Sequence, residues 1–137
     1  MCSSDLDPIP TASRIAREGF ANHLGAELAE AETDRVVVRL PYREHLGVGR
    51  IHGGAISALV DIAATAAFWS YPDLPDTARG ATVGFTINFL KLAVATDLSA
   101  EATVRRRGGT ICTGNVSVTN ADGDEVAVAV VTYKLSR

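Results

Sequence analysis

From Ala55 to Trp69 the chain is apolar apart from Ser57, Asp61 and Thr65. These three recur every four residues, so on a helix they form one narrow stripe. The other faces carry Ala, Ile, Leu, Val and Phe, and a helix apolar nearly all round is expected to be buried. The pattern predicts this helix over about Gly53 to Ser70, ended by Pro72 and Pro75, which open a linker. A carboxylate midway along a buried helix is costly unless it is paired, hydrated or used. Asp61 is therefore the residue that most needs a reason.

Elsewhere the period is shorter. Residues 1–10, with Asp7-Pro8-Ile9-Pro10, read as an irregular lead-in, and Thr11 is placed to cap a short helix running to about Phe20, with Ile15, Ala16 and Phe20 on one side. Leu24 to Ala31 reads as a strand. Arg35 to Leu40 alternates, with Val36, Val38 and Leu40 facing one way, and Pro41 to Arg50 reads as a loop. After the long helix come strands only. Ala81–Leu90 places Val83, Phe85, Ile87 and Phe89 on its core face and Thr82, Gly84, Thr86 and Asn88 on the other. Asp97–Arg107 turns Leu98, Ala100, Ala102 and Val104 inward and Ser99, Glu101, Thr103, Arg105 and Arg107 outward. Gly108-Gly109 and Asp122-Gly123 read as hairpin turns on either side of Thr110–Thr119, whose buried face is Cys112, Gly114, Val116 and Val118. Glu125–Leu135 is apolar on both faces and is expected in the centre of its sheet. One curved antiparallel sheet wrapped round one helix accommodates this order, in an α+β arrangement. Such a sheet has edges, and edges invite pairing with a second copy.

A length of 137 residues fits one domain, and 47% hydrophobic with 21% charged residues marks a globular chain. We divide it into a lead-in with a short helix, residues 1–20, and a single domain, residues 21–137. A net charge of −3 argues against a general nucleic-acid binder. Neither a signal peptide nor a convincing membrane span is visible. Cys2 and Cys112 give no disulfide framework, so a reducing cytoplasmic setting is the expectation. His23, His45 and His52 lack metal-ligand spacing, and no metal site is expected. Asp122-Gly123-Asp124 lacks the later ligands of a calcium loop, and Gly47-Val48-Gly49 lacks the spacing of a dinucleotide fingerprint. Phe68, Trp69 and Phe85 are expected in the core, and Cys112 as a small buried hydrophobe.

Gly53-Gly54 opens the helix. A helix start leaves backbone N–H groups unpaired, with partial positive charge, and glycine lets a ligand approach them. Gly53 and Gly54 are therefore candidate oxyanion donors, each such donor being worth about 3–4 kcal/mol in a transition state. Asp61 is the candidate base or nucleophile. The bland alternatives are close packing for the glycines and a structural bond to Ser57 or Thr65 for Asp61. His52 is a further candidate, although a histidine at a helix start more often serves structure. Asp61 lies eight residues beyond Gly53, about 12 Å along a helix axis, so one helix cannot present both to the same carbonyl carbon. A second subunit, with its helix antiparallel across a two-fold axis, can. The expectation is at least a homodimer with two equivalent sites in its interface.

The stretch His52-Gly53-Gly54-Ala55-Ile56-Ser57-Ala58-Leu59-Val60-Asp61 resembles the signature of the hot-dog-fold thioesterases of the PaaI-like, phenylacetate-degradation group, and Thr82 to Lys91 resembles the strand that follows in that family. The likeness in element order spans about residues 20–135. It implies a hot-dog fold and hydrolysis of an acyl-CoA thioester with no metal and no cofactor beyond the CoA of the substrate. It also implies dimers, and dimers of dimers giving a homotetramer. By the match Asp61 is the carboxylate, Gly53 the main oxyanion donor and Thr82 the hydroxyl that assists the attacking water. The family usually has Asn or Gln six residues before the motif histidine, where this chain has Leu46. Coenzyme A carries phosphates, and Lys91, Arg105 and Arg107, with Arg106 between, are the candidate contacts. Two rival functions are a hot-dog enoyl-CoA hydratase or dehydratase and a non-catalytic acyl-CoA binding protein. Leu46 speaks for the second.

Overall fold

The structure, a computed structural model, describes residues 10–137, so Cys2 and most of the expected lead-in lie outside the described residues. In chain order the elements are α1 (Pro10–Arg17), α2 (Phe20–Leu24), β1 (Glu27–Glu32), β2 (Arg35–Leu40), a 3₁₀ turn (Glu44–Leu46), α3 (Gly53–Phe68), β3 (Arg79–Phe89), β4 (Leu98–Arg107), β5 (Ile111–Thr119) and β6 (Glu125–Ser136). The strands form one antiparallel sheet in the order β1-β2-β4-β5-β6-β3, curved round α3. This is the α+β, hot-dog arrangement that the sequence pattern and the resemblance called for.

The core is a contact between small side chains. Ala63, Ala64, Ala66 and Ala67 of α3 face a sheet whose inner side includes Ala100, Ala102, Ala127 and Ala129, all buried. Larger groups, among them Leu59 and Val60 in the middle of the helix and Val36, Val118 and Val131 on the sheet, fill the space around that contact. Phe68 stacks on Tyr133 with ring centroids 5.0 Å apart. Gly114 makes room for it, since a Cβ there would lie 3.1 Å from Phe68 Cζ. Ala12 and Ala16 of α1 are fully buried against the same core.

Several expectations change. The first helix begins at Pro10, whose fixed φ suits a first helical position, so Thr11 lies inside it. It does not reach Phe20: Gly19 at φ 61° breaks the chain into two helices and leaves Phe20 exposed. Leu24 is helical, and Gly25 in the left-handed region ends α2 before β1 starts at Glu27. The long helix is not covered all round, because Ser57, Asp61 and Thr65, with Ala58 and Ile62, are only half-buried. β6 has a neighbour on each side but lies one place from the sheet edge, and Val130 on its outer face is 47% exposed. Phe85, expected in the core, is 36% exposed on β3.

Two β-bulges account for the remaining differences. The ladder of β3 on β6 slips between Thr82 and Gly84. One extra residue reverses the alternation, so Thr82 and Phe85 both pair with residues of the buried face, Tyr133 and Val131. Thr82 therefore faces the helix, not the outer side. The ladder of β4 on β5 slips between Val104 and Arg106, which places Arg107 opposite buried Cys112. Arg107 is turned inward, contrary to the outward placement expected from strict alternation.

Inside, Arg107 closes the C-terminal end of α3. Its Nε donates to Asp34 Oδ1 at 2.8 Å and its Nη2 to the Ala67 carbonyl at 3.3 Å. Asp34 sits in the β1–β2 turn at φ 67°, a conformation Asp tolerates better than most residues. Its N–H donates to Ser70 Oγ at 2.7 Å, and Ser70 Oγ donates to the same Ala67 carbonyl at 2.6 Å. Removing a buried partner of an ion pair costs several kcal/mol. Asp34 stays 45% exposed and can rehydrate, and Arg107 Nη1 is itself buried without a partner among the described residues. Arg107→Met should therefore lower unfolding stability by only about 2 kcal/mol in urea titration. Arg106→Met, on the exposed side, should stay within about 0.5 kcal/mol of the parent.

Candidate active site

The start of α3 is held by its own loop. Ile51 N–H donates to the Ala93 carbonyl and His52 N–H to the Leu46 carbonyl, both at 2.8 Å. Leu46 is buried, so its side chain serves the core and only its backbone serves the loop. Gly47 lies so close to the Arg50 carbonyl that any Cβ would collide with it.

His52 is the N-cap. Its backbone is extended, and Nδ1 accepts the Gly54 N–H at 2.8 Å. A Cβ at Gly54 would stand 2.9 Å from that nitrogen, so a larger residue there would displace the His52 ring from the cap. The Ala55 and Ile56 N–H groups both donate to the His52 carbonyl. Gly54, one of the two expected oxyanion donors, thus has its N–H engaged. Gly53 N–H is left with no protein partner among the described residues, and the ring of Phe89, at the end of β3, lies over the Gly53 Cα.

Further along α3, Asp61 is half-buried and Thr82 Oγ1 donates to its Oδ1 at 2.7 Å. That bond exists because the bulge turns Thr82 inward. Ser57 does not serve Asp61; its hydroxyl donates to the Gly53 carbonyl at 2.8 Å. Beside this pair Tyr133 Oη accepts from Trp69 Nε1 at 2.7 Å. Burial pushes the Tyr133 phenol up, the Trp69 bond pulls it down, and the Asp61 charge pushes it up again, so it stays protonated at neutral pH. A Cβ at Gly80 would press on the Tyr133 ring at 2.6 Å, so that glycine keeps the tyrosine in place.

The structure thus gathers the named residues into two groups on one helix, His52, Gly53 and Gly54 at its start, and Asp61 with Thr82 two turns on. The cationic candidates separate. Lys91 follows Phe89 near the start of α3 and is paired with Asp124 at 2.6 Å, a bond that raises the Lys91 ammonium and lowers the Asp124 carboxyl. Arg105 is exposed on the β4 bulge and Arg107 is committed to Asp34, both toward the other end of the helix. A groove of about 370 Å³ opens on the outer face of the sheet, lined by Thr86, Asn88, Thr103 and Asn115, away from both groups. Among the described residues no group of three or more His, Cys, Asp or Glu side chains converges as a metal site would require, and no helix is long and apolar enough to cross a membrane. Phe89 over Gly53 and the Trp69–Tyr133 bond were not visible in the sequence. Gly84, a glycine inside a strand pattern, was the one signal of the bulge.

Residues 48–127, more than half of the chain, match the model of the Thioesterase superfamily. A Halobacterium salinarum protein that carries the name of an esterase is 31% identical over 136 residues, covering 91% of this chain and 89% of its own. The crystal structure of a thioesterase family protein from Silicibacter pomeroyi superposes with a TM-score of 0.83 at 26% identity, covering 96% of this chain and 97% of that one. The E. coli PaaI protein from the phenylacetic acid degradation operon shares the fold, with a TM-score of 0.78 at 22% identity over 92% of this chain and 94% of its own. The chain belongs to the thioesterase superfamily and is a hydrolase of that class.

The capping geometry makes a direct prediction. His52→Ala should lower stability by about 1 kcal/mol, and His52→Asn, which restores an acceptor, should recover most of it in thermal or urea unfolding.

Proposed function

We propose that the protein hydrolyses acyl-CoA thioesters as a homodimer in which each site joins Gly53 of one copy to Asp61 of the other. The observation that carries this reading is the placement of both half-sites along one unprotected edge strand. β1, at one edge, is guarded by Glu27, Glu30 and Glu32. β3, at the other, runs for 11 residues with no charge after Arg79 and leaves Val83 and Phe89 more than half exposed. A long, uncharged edge of this kind is a template for pairing. Thr82 bonds Asp61 near its beginning, and Phe89 covers Gly53 at its end. Antiparallel pairing of β3 with its copy, centred on Thr86, pairs Phe85 with the partner's Ile87 and, because Val83 is an extra residue in the bulge, sets Thr82 opposite the partner's Phe89. Asp61 then faces the partner's Gly53.

In this site Gly53 N–H receives the thioester oxygen, and the α3 dipole adds to the field there. A water adds to the carbonyl carbon while Asp61 takes its proton, with Thr82 holding one Asp61 oxygen. The tetrahedral adduct collapses, the C–S bond breaks, and the proton passes from Asp61 to the leaving thiolate. Direct attack by Asp61, giving an anhydride that water then cleaves, uses the same groups. Lys91, near the Gly53 end, is the first choice for a CoA phosphate, with Arg105 the alternative; Arg107 is buried in its ion pair. Gly54 and His52 build the frame that leaves the Gly53 donor available. A second pairing of dimers would give the tetramer, and a cytoplasmic location fits a CoA thioester substrate.

Asp61→Asn should keep the fold and lower turnover by about 10²–10⁴-fold in a thiol-release assay. Gly53→Pro deletes the candidate donor while remaining compatible with a first helical position. Each variant alone should be inactive. Refolded together in equal amounts they should regain about a quarter of wild-type activity, since half of the pairs are mixed and one of their two sites is intact. A mixture that stays inactive, with mixed pairs shown to form, would remove the shared site.

A further inference from the structure

A side chain from another element, Phe89 of β3, lies close to the proposed oxyanion donor. Phe89 lies over Gly53 so closely that a Cβ added at Gly53 would stand 3.3 Å from its Cζ, 3.6 Å from one Cε and 3.8 Å from the other. In a helical residue the N–H and the Cβ position lie on the same side of the N–Cα bond, so the ring is within reach of a carbonyl bonded to Gly53 N–H and of the carbon atoms attached to it. Phe89 is 51% exposed in the single chain, so half of its surface is available to something else. Phe89 is the last residue of β3, the edge strand on which the second copy is proposed to pair. Beyond its two chain neighbours and its own helix, the three atoms nearest to a Cβ built on Gly53 all belong to Phe89.

We propose that Phe89 is a specificity-determining residue, its ring limiting the bulk allowed on the carbon next to the thioester carbonyl. The proposal rests on the reading of Gly53 as the oxyanion donor. A straight acyl chain passes beside the ring, whereas a methyl branch at that carbon meets it. Apolar pockets discriminate about 10- to 200-fold per methyl-sized group, which sets the scale of the effect. It follows that the carbon next to the carbonyl is unbranched in the preferred substrate, whatever lies farther along the chain.

The test compares butyryl-CoA with isobutyryl-CoA, two thioesters of equal carbon number that differ only in branching at that carbon. In Phe89→Ala the ratio of kcat/KM for isobutyryl-CoA over butyryl-CoA should rise about tenfold or more above the wild-type ratio. An unchanged ratio, with the variant folded by thermal unfolding, would overturn the proposal and leave the Gly53 reading standing. A second arm uses the same contact from the other side. Gly53→Ala keeps the N–H but sets its Cβ against the ring, and should lower kcat/KM for butyryl-CoA about tenfold. Adding Phe89→Leu to it should restore most of that loss, because residues in contact couple. Simple additivity of the two changes would also overturn the proposal. An Asp61→Asn protein that hydrolyses both thioesters at the wild-type rate would instead remove the site itself, and this inference with it.

Discussion

A helix that is apolar on three sides must be wrapped, and the six strands of this chain do not close around α3. Closure would need a barrel, with every edge paired. What forms instead is a curved sheet with two edges and a helix left half-covered along Ser57, Ala58, Asp61, Ile62 and Thr65. Alanines on both surfaces let helix and sheet approach closely, and valines and leucines of both fill the space around that contact. The open side of α3 is therefore a consequence of how the helix is packed. The same opening gives Asp61 its access.

The two edges are treated differently by the sequence, and that difference organises the proposed site. Glutamates repel a strand from β1, while β3 offers unpaired backbone and apolar side chains. The bulge at Val83 twists β3 and turns Thr82 toward α3, which lets one strand serve both as the sheet edge and as the hydrogen-bond partner of Asp61. The far end of the helix carries the load-sharing network of Arg107, Asp34 and Ser70, so the charges there are used for structure. The two flanks of one helix thus differ: one is tied down by these charges, and the other is left half-covered.

Much of this was legible from periodicity. The α3 run, the buried face of β5 and the two hairpins follow from local pattern, because the residues that decide them are neighbours in sequence. The bulges do not, because a slip in register depends on what the neighbouring strand offers. Strict alternation therefore placed Thr82 and Arg107 on the wrong faces, although the residue types were right. The edge position of β3 was hidden for a related reason. Phe85 and Phe89 have the composition of an inner strand, and only the strand order reveals that no strand covers the far side of β3. The cap by His52 had no signal either, since histidine is not among the residues that usually cap helices. Gly54 read as a donor to a ligand when it is the donor to that cap.

The position held by Leu46 shows how the candidate site is built. A side-chain amide there, as the resembling family usually has, would bring a polar group on a flexible stem. Leu46 instead goes into the core, and its carbonyl fixes His52, which in turn takes the Gly54 N–H. Each step uses up one backbone group, until a single donor, Gly53 N–H, is left at the helix start with no partner among the described residues. A donor isolated by elimination in this way is held by the helix and by the loop together. In the proposed site it would need no reorganisation when charge develops beside it, which is the condition under which such a donor contributes most to a transition state.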